Sequence, residues 1–321
     1  MKVSIALASF NGDRFLLEQL QSFNNQTIKP DELIVCDDCS NDKTLSILEG
    51  FKNEAPFEVH IFKNETNIGL NKNFEKAISL CSGDVIFLSD QDDVWFNEKI
   101  ENILDVFKMN DKIDVVMNDA YYSDEFLTKS TTTVLEKAAH YAGSNDGHLA
   151  GACTAFRRRF QQFLLPFPES CPPYDIYIHR WSWLLSNKVI LEKPLQVWRM
   201  HDNNGSSYSE MASPKIESLF VRYWKQRHIK PFKVYEDRAF QYDVCKEQLL
   251  SRIDKFAELP QVPHINILIE KLDEIINANK IRAKLIRSPF LTRLKLIALM
   301  IRKNYYKYFK GIQSIAKDIL R

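Results

Sequence analysis

Three carboxylates fall within four residues at Asp90-Gln91-Asp92-Asp93, directly behind the apolar run Val85-Ile86-Phe87-Leu88. Carboxylates packed this closely repel one another unless a cation sits between them. The apolar run reads as a buried strand of a parallel sheet, and the carboxyl end of such a strand is where α/β folds place their ligands. Residue types and position together suggest a hard divalent ion, Mg²⁺ or Mn²⁺, bridging to a phosphate-bearing substrate. Two other readings compete. One is a solvated acidic turn. The other is an EF-hand, in which Asp90 and Asp92 take the first two ligand positions and Glu101 the twelfth; it fails at the sixth, where Trp95 replaces the required Gly.

A second acidic strand end, Asp37-Asp38, follows Leu33-Ile34-Val35-Cys36. One acid there could accept hydrogen bonds from a nucleoside base or ribose, while the later acids reach a diphosphate through metal. That division suits a nucleoside-diphosphate substrate. Phosphate cradling by a Gly-rich loop is not the mode, because the first strand runs into Ala8-Ser9-Phe10-Asn11-Gly12 and neither G-x-G-x-x-G nor G-x-x-x-x-G-K-[ST] occurs.

The elements that must position these residues follow from hydrophobic periodicity. Strands are expected at 3–8, 33–36, 59–62, 85–88 and 114–117, with helices at 13–25, 42–53, 71–81 and 98–109. This alternation implies an α/β fold with a mostly parallel sheet flanked by helices. Residues 120–150 are polar, rich in Thr and Ser, and read as a loop. Helical pattern returns at 150–163 and 176–186, short strands at 189–191 and 196–198, then helices at 215–228, 235–258, 265–285 and 290–318. A change of composition near 210–214 divides an α/β part, 1–212, from an all-α part, 213–321.

At 321 residues, 45% apolar and 26% charged, the chain has the composition of an ordinary globular protein with ample core. Its net charge of +1 conceals an asymmetry: residues 281–321 hold eleven Lys/Arg and one acid, Asp318, about +10, against about −9 for the rest. The six cysteines show no disulfide or zinc spacing. Cys36 and Cys39 flank two aspartates, which would raise rather than lower thiol pKa values, so reduced thiols in a cytoplasmic protein are expected. No secretory leader or long apolar span is visible. The segment 290–303 is too charged to span a bilayer. It suits an amphipathic helix on an anionic membrane surface, with Tyr305-Tyr306-Lys307-Tyr308-Phe309-Lys310 at the interface, or alternatively a helix packed on the domain with its lysines solvated. No nucleic-acid readout motif accompanies the basic charge.

Five motifs in order, Ser9-Phe10-Asn11-Gly12, Asp37-Asp38-x-Ser40-x-Asp42, Asn67-x-Gly69, Ser82-Gly83-Asp84 and Asp90-Gln91-Asp92-Asp93-Val94-Trp95, resemble the family 2 glycosyltransferases. The Ser-Asp-Gln-Asp-Asp-Val-Trp form is most similar to the rhamnosyltransferase-like branch of bacterial surface-polysaccharide enzymes, those of capsule or O-antigen. The likeness extends through Leu149–Phe156 and Tyr174-Asp175 to Trp198-Arg199-Met200-His201 and the asparagines after it, about two-thirds of the chain. It implies a GT-A fold and an inverting sugar transfer from a nucleotide-sugar. By the same resemblance Asp175 is the general base. Ser9, Asn11, Asp38, Asn67, Gly69, Asp90 and Arg199 meet the donor, with Asp38 on the base. Asp92, Asp93 and His201 hold Mg²⁺ or Mn²⁺. Tyr174 departs from the family's usual His, and Trp198 from its Tyr.

Each residue also has a plainer reading. Asp175 could be a helix N-cap, His201 an ordinary loop histidine, and Asn67 and Gly69 a structural turn. Of Trp181 and Trp183, either could stack on a sugar, and at least one is core. The resemblance implies dTDP-rhamnose as donor, with UDP-galactose or UDP-N-acetylglucosamine as alternatives, and a growing, lipid-linked glycan as acceptor at the inner face of the membrane. A sugar-phosphate nucleotidylyltransferase would need a Gly-rich basic signature after the first strand, which is absent. A non-catalytic glycan-binding protein on the same fold would be favoured by loss of the acids, which are present.

Overall fold

The computed structural model describes residues 1–136, 149–202, 232–257 and 265–320. The first strands are β1 (Val3–Ser9), β2 (Glu32–Asp37), β3 (Glu58–Lys63) and β4 (Val85–Ser89), paired in parallel in the order β3-β2-β1-β4. Helices α1 (Leu16–Asn24), α2 (Thr44–Glu54) and α3 (Leu70–Leu80) join them. Side chains alternate across the sheet with period two. Val3, Ile5 and Leu7 of β1 pack with Leu16, Leu20 and Phe23 of α1. Ala6 and Ala8 pack instead with Phe74, Ala77 and Ile78 of α3. Both faces are covered, so β1, β2 and β4 are buried at every position.

Beyond β4 the sheet is mixed. It continues through β8 (Thr154–Arg157), β6 (Val115–Ser123), β9 (Lys188–Arg199) and the two-residue β5 (Val94–Trp95), with β7 (Lys129–Thr133) beside β6. Three expectations change here. The pattern at 150–163 is β8 between two 3₁₀ turns, helical only from Gln161, because Ala155 and Phe156 must alternate between the two faces of a central strand. The described part of 120–150 holds the β6–β7 hairpin rather than a continuous loop. The two short strands expected at 189–191 and 196–198 are one strand, β9, running parallel to β6 and antiparallel to β5. That long strand delivers Gln196 and Arg199 to the acidic turn, and His201 follows two residues past its end.

Helix α4 (Lys99–Met109) covers the α1 face, and α5 (Tyr174–Leu185) covers the α3 face. Further on lie α6 (Lys233–Ser251), α7 (Ile265–Arg287), α8 (Phe290–Arg302) and α9 (Ile312–Leu320). Tyr242, Cys245 and Leu249 of α6 and Leu272 and Ile276 of α7 join Trp181 and Tyr177 of α5 in one apolar cluster, so these helices share the core of the α/β part. The boundary placed near 210–214 and the helix expected at 215–228 lie outside the described residues.

The single helix expected at 290–318 is broken. Asn304 and Gly311 adopt left-handed backbone (φ 54° and 51°) on either side of a 3₁₀ turn, Tyr305–Tyr308. The aromatic run there is core, not interface. Tyr305, Tyr306 and Phe309 are buried, the Arg282 guanidinium lies 4.2 Å from the Phe309 ring, and Lys307 and Tyr308 both bond Glu274. Trp181 is fully buried, and Trp183 packs on Tyr242 and Tyr308.

Candidate active site

The turn between β4 and β5 sends its three carboxylates in different directions. Asp92 Oδ2 lies 2.9 Å from His201 Nε2, and the His201 ring packs 4.7 Å from Phe15. Asp90 Oδ1 accepts the phenolic proton of Tyr174 at 3.2 Å. Burial, followed by the charges of Asp92 and Asp175, pushes the Asp90 carboxyl up to about 7. Asp93 turns inward. It is 1% exposed, takes Gln196 Nε2 on Oδ2 at 2.8 Å and the Arg199 backbone N–H on Oδ1 at 3.3 Å, and burial raises its pKa well above the usual range. The structure therefore sets Asp92 against His201, with Asp90 near enough to Asp92 to feel its charge, and gives Asp93 to β9.

Arg199 is also engaged within the protein. Its side chain is 2% exposed. Nε donates to the Asp92 carbonyl at 2.9 Å, Nη1 to the Glu125 carbonyl at 2.6 Å, Nη2 bonds Glu18, and the guanidinium sits 4.4 Å over the Phe15 ring. It fixes the backbone of the acidic turn.

At the end of β2, Asp38 is buried and accepts Asn64 Nδ2 at 2.9 Å, Ile68 N–H at 2.8 Å and Gly69 N–H at 2.9 Å. It holds the 67–69 turn, whose Asn67 Oδ1 also accepts Gly69 N–H at 3.1 Å. Gly69 has φ 84° and ψ 159°, a conformation that L side chains rarely adopt, and caps α3 there. Ser9 is 1% exposed and donates to Asp37 Oδ1 at 3.0 Å, so it ties β1 to β2. Asn11 stands at the rim, its Oδ1 accepting Asn41 N–H at 2.9 Å. Asp175 lies in the first turn of α5, with Oδ1 accepting Ile176 N–H at 2.7 Å, near enough to Asp90 to raise its pKa.

Several contributors were not singled out from sequence. Gln91 pairs with the Phe10 backbone in both directions, at 2.9 and 3.0 Å, clamping the loop after β1 to the acidic turn. Lys99 is fully buried; its ammonium bonds the Ala152 carbonyl at 2.8 Å and Gln196 Oε1, and lies 3.9 Å from the Trp95 ring. Burial lowers its pKa to about 7. Phe15 carries both Arg199 and His201. Polarity alone cannot reveal such residues, because each acts through a partner tens of positions away.

A metal fits the Asp92–His201 pair. Two ligands of an octahedral ion at about 2.1 Å stand roughly 3 Å apart, close to the observed 2.9 Å. Among the described residues no third His, Cys, Asp or Glu joins that pair within 4.8 Å; the one such trio is Glu32, Glu58 and His60, at the amino ends of β2 and β3 and away from these acids.

The family model for glycosyl transferase family 2 matches residues 4–164, half of the chain, and spans every acid described above as far as Asp93. The chain belongs to the family 2 glycosyltransferases. Among curated family members, the dTDP-rhamnosyl transferase RfbG of Shigella flexneri is 27% identical over 245 residues, 70% of this chain and 82% of that protein. The putative glycosyltransferase EpsE of Bacillus subtilis is 31% identical over 125 residues, 39% of this chain and 45% of its own. Among solved structures, S. aureus TarS 1–349 in complex with UDP is similar over 99% of this chain and 92% of that one, with a TM-score of 0.55 at 16% identity. This glycosyltransferase thus has the GT-A fold, extended by a helical C-terminal region.

Proposed function

We propose that this glycosyltransferase is metal-dependent and inverting, and moves L-rhamnose from dTDP-rhamnose to a growing bacterial surface-polysaccharide acceptor, lipid-linked at the inner face of the membrane. The observation that carries the reading is the convergence of Asp90, Asp92 and His201 with Asp175 at the carboxyl end of β4. The 27% identity to a dTDP-rhamnosyl transferase supports the donor. An inverting transfer is one in-line displacement. It needs a base on the acceptor hydroxyl and neutralisation of charge on the leaving diphosphate.

Asp175 takes the proton. Asp92 and His201 would hold Mg²⁺ or Mn²⁺, which would supply charge to stabilise the leaving diphosphate. Asp90 lies on the donor side of the same acidic turn. Asp38, Asn67 and Gly69 shape the nucleoside pocket, with Ser9 and Asn11 at its floor and rim. Arg199 and Asp93 act by setting the acidic turn rather than by touching diphosphate or ion. Residues 1–212 form the catalytic domain in this reading, and the helices beyond 213 its C-terminal region. UDP-galactose or UDP-N-acetylglucosamine is the second donor reading, supported by the fold shared with TarS, whose structure has been solved with UDP-GlcNAc.

The test offers purified protein, with Mn²⁺, a panel of nucleotide sugars and follows release of nucleoside diphosphate. Slow, metal-dependent hydrolysis of dTDP-rhamnose, lost in Asp92→Ala and Asp175→Ala, is the expected outcome. Turnover of a UDP-sugar instead would transfer the assignment to the second donor. No turnover, and no metal-dependent binding of UDP or dTDP, would leave a glycan-binding protein.

A further inference from the structure

The first turn of α5 carries Asp175, which takes the Ile176 N–H, but Pro173 at the N-cap has no side-chain acceptor for the Tyr174 N–H. The acceptor comes from α3. Asn71 Oδ1 accepts the Tyr174 N–H at 2.9 Å, and the Asn71 amide donates to the carbonyls of Pro172 at 2.9 Å and Cys171 at 3.3 Å. Two and three residues before Asn71, the N–H groups of Gly69 and Ile68 are bound by Asp38. One short stretch of chain is thus tied at one end to the nucleotide side and at the other to the start of α5.

The Tyr174 side chain extends the linkage to Asp90. Its ring stacks on Phe74 of α3 with centroids 3.9 Å apart, and its phenol donates to Asp90 Oδ1. On the other side, a Cβ at Gly151 would fall 2.2 Å from the phenolic oxygen, so glycine leaves the gap that the phenol fills. Squeezed between α3 and the 3₁₀ turn of Gly151–Cys153, the phenol has one position, and that position meets Asp90.

We infer that Asn71 and Tyr174 are positioning residues, which hold Asp175 and Asp90 respectively in register with the turn kept by Asp38. This rests on the roles proposed for Asp175 and Asp90. A misplacement of about 1 Å can cost on the order of 100-fold in such a transfer, so the two residues should leave different kinetic signatures. Asn71→Leu keeps the shape and removes all three hydrogen bonds, loosening the turn that bears Asp175. Tyr174→Phe keeps the ring on Phe74 and removes the donor to Asp90.

The experiment measures donor turnover against sugar-nucleotide concentration, and nucleoside-diphosphate binding with Mn²⁺ by calorimetry, for these two variants beside Asp175→Asn and Asp90→Asn. Asn71→Leu is expected to lower kcat by about 10-fold or more while nucleotide Kd moves less than about threefold. Tyr174→Phe is expected to raise donor KM and nucleotide Kd by about fivefold or more, with the smaller change in kcat. Native kinetics in both variants would overturn the inference. So would equal losses in kcat and affinity that track a fall in Tm, since those mark general destabilisation. If Asp175→Asn and Asp90→Asn themselves keep native turnover, the failure lies in the functional assignment beneath the inference, and the two cases are told apart.

Discussion

Among the acidic-turn residues, chemistry and support are divided by direction rather than by type. Asp92 faces His201, whereas Asp93, one residue on, is spent on Gln196 and the Arg199 backbone. Arg199 is the sharper case, because a cation two residues before the histidine proposed to hold the metal is easily read as a diphosphate contact. Its donors instead satisfy two backbone carbonyls and Glu18. Each carbonyl left unpaired in a buried place costs about 1–3 kcal/mol, so Arg199→Met should destabilise the fold by roughly 2–4 kcal/mol. That corresponds to a Tm lower by about 5 °C or more in a chain of this size. Nucleotide affinity should fall only as the fold loosens. Calorimetry of unfolding and of nucleotide binding on the same sample decides it: unchanged Tm with lost nucleotide affinity would return Arg199 to the donor.

The elements most legible in the sequence were those whose signals are local. β1 to β4 and α1 to α4 declare themselves by period and by turn residues, and the acids of the site sit at strand ends. What stayed hidden depends on long-range pairing. β8 is a four-residue strand between two 3₁₀ turns, too short for period two to outweigh the helical pattern around it. Asn71, Gln91, Lys99 and Gln196 look like surface polars until the sheet brings their partners within reach. Glu32 at the start of β2 belongs to the same class. It accepts Ser4 Oγ at 2.5 Å, Ser82 N–H at 2.6 Å and Ser82 Oγ at 2.8 Å, and so ties β1, β2 and the entrance to β4 together. Burial works to raise its carboxyl, but the bonds from Ser4 and Ser82 and the charge of Lys2 outweigh burial and hold it below the ordinary value of 4.5. A depressed folded-state pKa contributes stability that is fully present above the unfolded value and lost as pH falls through the folded one. Thermal melts of the native protein and of Glu32→Gln should therefore differ most near pH 7 and converge as the pH falls through the folded carboxyl's value below 4.5. A gap that persists in acid would show that the carboxylate charge is not its source.

At the scale of the whole molecule, charge and apolar surface are both distributed unevenly. The last forty residues hold about +10 against an acidic remainder. Part of this is consumed internally, by Arg282 on buried Asp318, Arg287 on Glu236 and Lys307 on Glu274. Lys295, Arg302 and Lys317 make no such pair among the described residues and are exposed. On α8, Ile297 and Met300 pack with Ala278 and Leu285 of α7 and with Tyr305, Tyr306 and Phe309, while Leu291, Leu294 and Ile301 recur at helical spacing on the outer side with Phe290 beside them. Leu291 is 73% exposed. No helix among the described residues is long and apolar enough to cross a membrane. An apolar stripe flanked by lysine and arginine matches an anionic bilayer surface, where each cation contributes about 1 kcal/mol. We therefore expect sedimentation with vesicles rich in anionic lipid and none with neutral phosphatidylcholine. Binding should weaken as salt shortens the range of the attraction. Leu291→Glu with Leu294→Glu should abolish it while leaving Tm and donor hydrolysis in solution unchanged. Because the acceptor proposed above is lipid-linked, the same variant should lose transfer to vesicle-borne acceptor while keeping transfer to a water-soluble analogue. Equal activity on both acceptors would mean that this face does not bring the enzyme to its substrate.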